Sequence, residues 1–335
     1  MKVISFVIPL YNTEKYIVDC IDSILEQKEI DLSLVEIIVV DDGSTDNSLA
    51  MLERYSENKN ITVIKKNNSG ISLTRNLGVE RAKGNYIFFL DSDDKIAPGA
   101  LAKIFNILNN SNVDILFFSG AVFYDIDTKN SFKPIYGRAR QTCNVIMTSS
   151  EFFIKSIKYR SFFVQPCMYV FKKQLFEGNE FIPNILHEDN PFTVGLLLNN
   201  DVNVFCINDK LYQRRIRSNS IMTSAHSIKN AAGYLYSAKY IFGKYYDYDN
   251  DGSSRELKAL RFFLLKLIKC GYVISNEINS EYHKTEFEKV YNQLNPNWFE
   301  KWSFNSGSIY RKARFIKTKY YHLIGRFTSL TRFLK

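Results

Sequence analysis

The sequence predicts an α/β protein, in which a mixed, mostly parallel sheet is flanked by helices and followed by a helical C-terminal region. Three observations carry that expectation. Apolar runs rich in β-branched and aromatic residues alternate with segments of helical period, and such alternation builds a sheet with right-handed crossovers. The runs at 35–40 and 86–90 are almost continuously apolar, as in strands covered on both faces. Each run ends in carboxylates, Asp41-Asp42 and Asp91-Ser92-Asp93-Asp94, at the strand ends where open α/β sheets bind ligands.

The elements follow in order. Residues 3–9 read as a first strand, and 13–27 as a helix whose Ile17, Cys20, Ile21, Ile24 and Leu25 share one face, with Asn12 or Thr13 as its cap. Strand 35–40 leads to a helix at 48–57, strand 61–65 to a helix at 73–82, and strand 86–90 to the second acidic cluster. Beyond a helix at 99–109, the runs 113–118 and 121–124 suggest a hairpin, so the sheet is expected to become mixed. A loop covers 126–148, a helix 150–157 and a strand 167–172; Asn190 caps a helix at 191–198 with Pro191 in its first position. Runs 202–207 and 211–215 close the sheet. Longer helical patterns follow at 231–246, 256–274 and 282–294, which puts the boundary between the sheet-forming domain and a helical region at 225/226.

Composition narrows the class. Hydrophobic residues at 45% and charged residues at 24% suit a soluble globular chain and argue against extensive disorder. Nine of the 44 Lys and Arg lie from Lys301 onward, without one Asp or Glu, so the body is neutral and the tail holds the net charge of +9. Ile309, Ala313, Ile316, Tyr320, Leu323, Phe327, Leu330 and Leu334 form one helical stripe in that tail. A basic amphipathic helix over 309–335 would either lie on anionic lipid or pack on the helical region or on a second subunit. Five cysteines without CxxC spacing argue against a zinc site or a disulfide framework and favour a reducing cytoplasm. Neither a signal sequence nor a membrane span is expected, which leaves a cytoplasmic protein, either free or peripheral at the inner face of the membrane.

Carboxylates gathered at a sheet rim repel one another unless a cation neutralises them. Hard ions such as Mg²⁺ or Mn²⁺ prefer oxygen ligands and bridge to phosphates, so a metal-diphosphate site is expected. No GxGxxG or Walker pattern is present, so neither a dinucleotide-binding nor a kinase-type fold is supported. Gly70 and Gly84 read as turn residues.

Four motifs, VIPLYN at 7–12, VVDDGSTDNS at 39–48, the run from Asn67 to Asp94 that ends in FFLDSDD, and HEDNPF at 187–192, together resemble the family 2 glycosyltransferases, over roughly the first 220 residues. That resemblance implies the GT-A fold, a nucleotide-sugar donor and a divalent metal, Mn²⁺ or Mg²⁺. It implies that Pro9 and Tyr11 line the nucleoside pocket, that Asp41 accepts a hydrogen bond from uracil or ribose, and that Asp42 orients its turn. Asp91-Ser92-Asp93 matches the DxD element, with Asp93 the metal ligand, Asp91 at the ribose or a metal-bound water, and Asp94 a stabiliser of the loop. Arg75 would approach the nucleotide, and Arg214 and Ser220 would close over the diphosphate. Some relatives carry a His in that last segment that completes the metal shell; this chain has none. Asp189 matches the general base on the acceptor hydroxyl, Glu188 a supporting residue, and His187 a loop residue.

The resulting expectation is an inverting enzyme that moves a hexose or N-acetylhexosamine from a UDP-sugar to a hydroxyl of an acceptor glycan, either lipid-linked or on a surface glycoprotein. Two alternatives carry less weight. Nucleic-acid binding would use the basic and aromatic residues, but the acidic clusters oppose it in the body. A non-catalytic sugar-nucleotide sensor would not need both Asp93 and Asp189.

Overall fold

The computed structural model describes residues 3–125, 134–199, 201–217, 225–246 and 254–294. Ser220 and the basic stripe at 309–335 lie outside the described residues.

The first half alternates as expected: β1 (Ile4–Leu10), α1 (Ile17–Leu25), β2 (Val35–Asp41), α2 (Ser48–Leu52), β3 (Ile61–Lys65), α3 (Ile71–Arg81) and β4 (Tyr86–Phe89). A short β5 (Lys95–Ile96) and α4 (Ala100–Asn110) follow the second acidic cluster. The second half contains β6 (Ile115–Tyr124), β7 (Ile146–Thr148), α5 (Ser149–Lys158), β8 (Tyr169–Lys172), α6 (Asp189–Leu198) and β9 (Asn203–Ile216). Three helices complete the described chain: α7 (Ile228–Ile241), α8 (Arg255–Glu277) and α9 (Glu281–Gln293).

Among the described residues nine strands form one sheet in the order β3-β2-β1-β4-β8-β6-β9-β5, with β7 also paired to β9. Strands β1 to β4 are parallel, whereas β8 runs antiparallel to both β4 and β6. The sheet is therefore mixed and mostly parallel, with helices on both faces. Alternation along β1 sends Phe6 and Ile8 into one apolar cluster, with Ile17, Ile21 and Ile24 of α1, and Val7 into the other, with Val79 of α3. Burial on both faces is why these strands carry so few polar residues.

The structure corrects four local expectations. Residues 113–124 do not form a hairpin: β6 is one strand, paired in parallel with β9. The runs 202–207 and 211–215 are likewise one strand, because the polar stretch between them is a bulge rather than a turn. The register jumps there, from Phe117 opposite Cys206 to Ser119 opposite Lys210, and Ser119 Oγ donates to Asn208 Oδ1 at 2.7 Å. Helix α6 begins at Asp189, so Pro191 is its third residue and not its first. A first-turn N–H has no partner within the helix, which is why proline is tolerated there. The proposed caps of α1 are otherwise engaged, since Asn12 Oδ1 accepts from Thr45 N at 2.8 Å and Thr13 Oγ1 donates to Ser92 at 3.0 Å.

Helices α7 to α9 share the apolar cluster on the α3 side of the sheet. Phe263 of α8 meets Phe162 edge-on at 5.3 Å and Phe153 of α5 at 6.4 Å. No described helix is long and apolar enough to cross a membrane.

Gly84 lies in a bend, but it is needed for close approach rather than for an unusual φ. An added Cβ would sit 2.7 Å from Ser5 N and 2.9 Å from Ile4 C, both backbone atoms. Its N–H donates to Ser5 Oγ, which in turn donates to the buried Glu36 at 2.6 Å. Gly84→Ala is expected to cost about 1–3 kcal/mol by overpacking. Urea unfolding measures this, and a loss within error of zero would mean that the bend has room to move.

Candidate active site at the carboxyl rim of the sheet

Parallel register brings the strand ends to one rim. Leu10 lies opposite Asp41 and Val7 opposite Phe89, so the segments after β1, β2 and β4 emerge together. Pro9 is paired opposite Val40 within β1, and Tyr11, just beyond the strand, is half exposed. Asp41 is buried, and its carboxylate accepts from Ser44 N at 3.1 Å, closing the turn after β2. Asp42 faces the other way. It accepts from Ser69 N at 2.8 Å and Gly70 N at 2.9 Å and pairs with Lys66, so it holds the loop that leads into α3.

Arg75 joins two distant segments. Buried in α3, it donates from Nη2 to Asp91 Oδ1 at 3.0 Å and from Nη1 to Glu188 Oε1 at 2.8 Å. Its guanidinium also lies 5.2 Å from the centre of the Phe181 ring and 5.9 Å from that of Phe89. Burial opposes the charge, but Asp91 and Glu188 outweigh it and raise the pKa, so the group stays cationic. A planar fork can serve two carboxylates at once, which the ammonium of lysine cannot do in the same geometry.

The second acidic cluster is tied to the end of β9. Ser92 is buried on Thr13, whereas Asp91 and Asp93 retain partial access to solvent. Asp93 Oδ2 accepts from Arg217 Nε at 2.7 Å, and its backbone carbonyl accepts from Arg215 Nε at 2.9 Å. Asp94 is buried, accepting from Tyr212 and from Arg215 N at 2.6 Å. Burial, then Asp93 and Asp91, push the Asp94 carboxyl well above its ordinary range. Its role is thus to anchor the loop. Arg214 donates to Tyr136 at 2.6 Å, and Arg215 lies over the rings of Phe123 and Tyr16 at 4.6 and 4.8 Å.

Arg215 and Arg217 belong to the same basic segment as Arg214, but the sequence does not single them out as the partners of Asp93. Two apart on an extended segment, they reach the same side, and that alternation was the available signal. Chemically, Asp91 and Asp93 offer the oxygen donors that suit a hard divalent ion. Among the described residues Asp93 Oδ1 takes no hydrogen bond, and no three His, Cys, Asp or Glu side chains are placed to enclose a metal. An ion at this rim would be held by Asp93, with Asp91 beside it.

Asp189 begins α6, directly after Glu188. It is half-buried and accepts from Asn190 Nδ2 at 3.2 Å. Burial and the adjacent Glu188 push its carboxyl up to about 7, against the lowering influence of Arg75. Ahead of it, His187 has a left-handed backbone with φ 64, and its ring stacks on Tyr234 of α7 at 3.8 Å. Arg75 thus bridges the cluster after β4 to the loop that carries Asp189. A separate cleft of about 1200 Å³, between α3 and the segment after β8, is lined by none of these residues.

Comparison with known proteins agrees with this architecture. Residues 5–178 match the family model described as glycosyl transferase family 2. Glycosyltransferase GlyG of Streptococcus pneumoniae serotype 4 is 31% identical over 227 residues, which cover 66% of this chain and 73% of that protein. Among solved structures, residues 1–349 of TarS from S. aureus, in complex with UDP-GlcNAc, superpose with a TM-score of 0.60 at 21% identity, covering 93% of this chain and 92% of that one. The mannosyltransferase PcManGT of Pyrobaculum calidifontis, in complex with GDP-Man and Mn²⁺, gives a TM-score of 0.53 at 15% identity over 95% of this chain and 87% of its own. The two superpositions establish a GT-A fold, and with the match over 5–178 the chain belongs to the family 2 glycosyltransferases.

Proposed function

We propose that this glycosyltransferase moves a hexose or N-acetylhexosamine from a UDP-sugar to a hydroxyl of an acceptor glycan, inverting the anomeric centre with the help of Mn²⁺ or Mg²⁺. The observation that carries the reading is a half-buried Asp189, pushed up to about 7, whose neighbour Glu188 is held through Arg75 to Asp91. A carboxylate poised near neutral pH suits removal of a proton from a sugar hydroxyl. As the acceptor oxygen bonds to the anomeric carbon, the bond from that carbon to the diphosphate breaks on the opposite face. The hydroxyl proton passes to Asp189, and UDP leaves with the bonding electrons. A single displacement of this kind inverts.

Pro9, Tyr11 and Asp41 receive the nucleoside, while Asp91 and Ser92 lie under the ribose and Arg75 holds Asp91 in place. Arg214 and Ser220 assist at the diphosphate. Asp93 would hold the divalent ion, which when bound neutralises the charge that gathers on the leaving diphosphate. UDP-GlcNAc in the TarS complex and Mn²⁺ in the mannosyltransferase complex support the donor class and the ion. The acceptor is a lipid-linked or protein-linked surface glycan. The C-terminal basic segment brings the enzyme to the membrane face or to a second subunit.

Calorimetry with UDP-GlcNAc tests this reading. Binding is expected to weaken by about tenfold or more when Mn²⁺ is withheld, and Asp93→Ala to bind equally weakly with or without it. Affinity unchanged in the variant would move the ion elsewhere. Faster hydrolysis of GDP- or dTDP-sugars than of UDP-sugars would replace the donor.

A further inference from the structure

We infer that helix α7, through Tyr234 and Gly233, positions the loop that carries Asp189, with His187 as the clamped residue; the inference rests on the reading of Asp189 as the base. His187 is two residues ahead of Asp189 and occupies the left-handed region with φ 64, which is uncommon for a residue with a Cβ, though less so for histidine than for most. Its ring Nε2 is buried and has no hydrogen-bond partner among the described residues. The ring is therefore not oriented by a polar contact at that nitrogen. It is oriented by Tyr234, stacked face to face at 3.8 Å and 26°.

The backbone of the loop is gripped from the same helix. A Cβ at Gly233 would lie 2.2 Å from Leu186 O and 2.8 Å from Leu186 C, so glycine lets α7 approach that peptide directly. One turn on, Ser237 Oγ donates to His187 O at 3.2 Å. The same carbonyl accepts from Asn190 N at 3.2 Å and Asn190 Nδ2 at 3.0 Å, and Asn190 Nδ2 also donates to Asp189. A chain of contacts thus runs from α7 through His187 and Asn190 to the Asp189 carboxylate. Glu188 is separately fastened to Arg75 at 2.8 Å, so the loop is held from the donor side and from the helical region at once. The helical region then completes the reaction centre rather than merely covering the sheet.

Transfer rate, donor affinity and thermal midpoint are to be measured for Tyr234→Ala, Tyr234→Phe and Gly233→Ala, each with and without Asp189→Asn. Tyr234→Ala is expected to lower kcat by about tenfold or more with donor Kd within about twofold, because a misplaced base costs rate rather than ground-state binding. Tyr234→Phe keeps a ring for the stack and should stay within about threefold of the parent rate. In the Asp189→Asn background Tyr234→Ala should have no further effect, since groups that act as one unit are not additive. Gly233→Ala should likewise lower kcat by about tenfold or more with donor Kd within about twofold. An unchanged kcat in Tyr234→Ala, an equal loss in both backgrounds, or a loss in Tyr234→Phe as large as in Tyr234→Ala would overturn the clamp. Full activity in Asp189→Asn alone would overturn the base, and the clamp with it, and that outcome is separate from the others.

Discussion

Asp189→Asn is expected to lower kcat by about 10²- to 10⁴-fold, the range that a positioned general base contributes. Donor binding should remain within a few-fold, because the amide keeps the shape and only loses the capacity to take a proton. The pH dependence follows from the same carboxyl. Burial and Glu188 push it up from 3.8 to about 7, so below that pH Asp189 holds its proton and cannot act. The kcat/KM of the parent enzyme should therefore rise with pH and level off above 7, and the variant should lose that limb. Stability moves the opposite way. Between pH 4 and 7 the unfolded chain releases this proton while the folded chain keeps it, so this group's contribution to stability falls as pH rises through that window. Asp189→Asn removes the penalty, and its thermal midpoint should exceed the parent's at pH 8. A flat pH profile in the parent enzyme, or full activity in the variant, would refute the assignment.

The second large effect is expected at Arg75. Arg75→Ala leaves Asp91 and Glu188 without their shared cation, and breaking a buried pair from one side costs about 3–5 kcal/mol. The lower end applies, because the Asp91 side chain is 30% exposed and water recovers part of the loss. Arg75→Lys should fall between, since one ammonium keeps the charge but cannot match both fork contacts. Urea unfolding gives the stability change and calorimetry the donor affinity; both should fall together if Arg75 aligns Asp91 at the nucleotide. A variant as stable as the parent would show that solvent already screens the network.

The parallel half of the fold was legible in the sequence because its signals are local. Strands β1, β2 and β4 are covered on both faces, so their apolar runs stand out, and their carboxylates follow directly at the ends. The second half was less legible where polar residues interrupt a strand. Ser119-Gly120 and the residues around Asn208 look like turns, yet they are a bulge in the β6–β9 pair, whose extent is set by a partner strand about ninety residues away. The start of α6 was misjudged for a related reason. Pro191 points to a first position by propensity, but contacts from α7 and Arg75 hold His187 and Glu188 so that the helix begins at Asp189.

Period and strand-end placement are properties of short segments, and from them alone came the α/β architecture and the carboxylates at 41, 91 and 93, whereas Asp189 was marked only by the resemblance of HEDNPF at 187–192 to the family. The long-range partners of Asp93 and of the neighbouring Asp94 and Glu188 came from folding: Arg75 to Glu188 across 113 positions, Tyr212 to Asp94 across 118, and Arg217 to Asp93 across 124. Such contacts depend on sheet register and on which face each helix covers, and neither is written in the neighbourhood of any one residue.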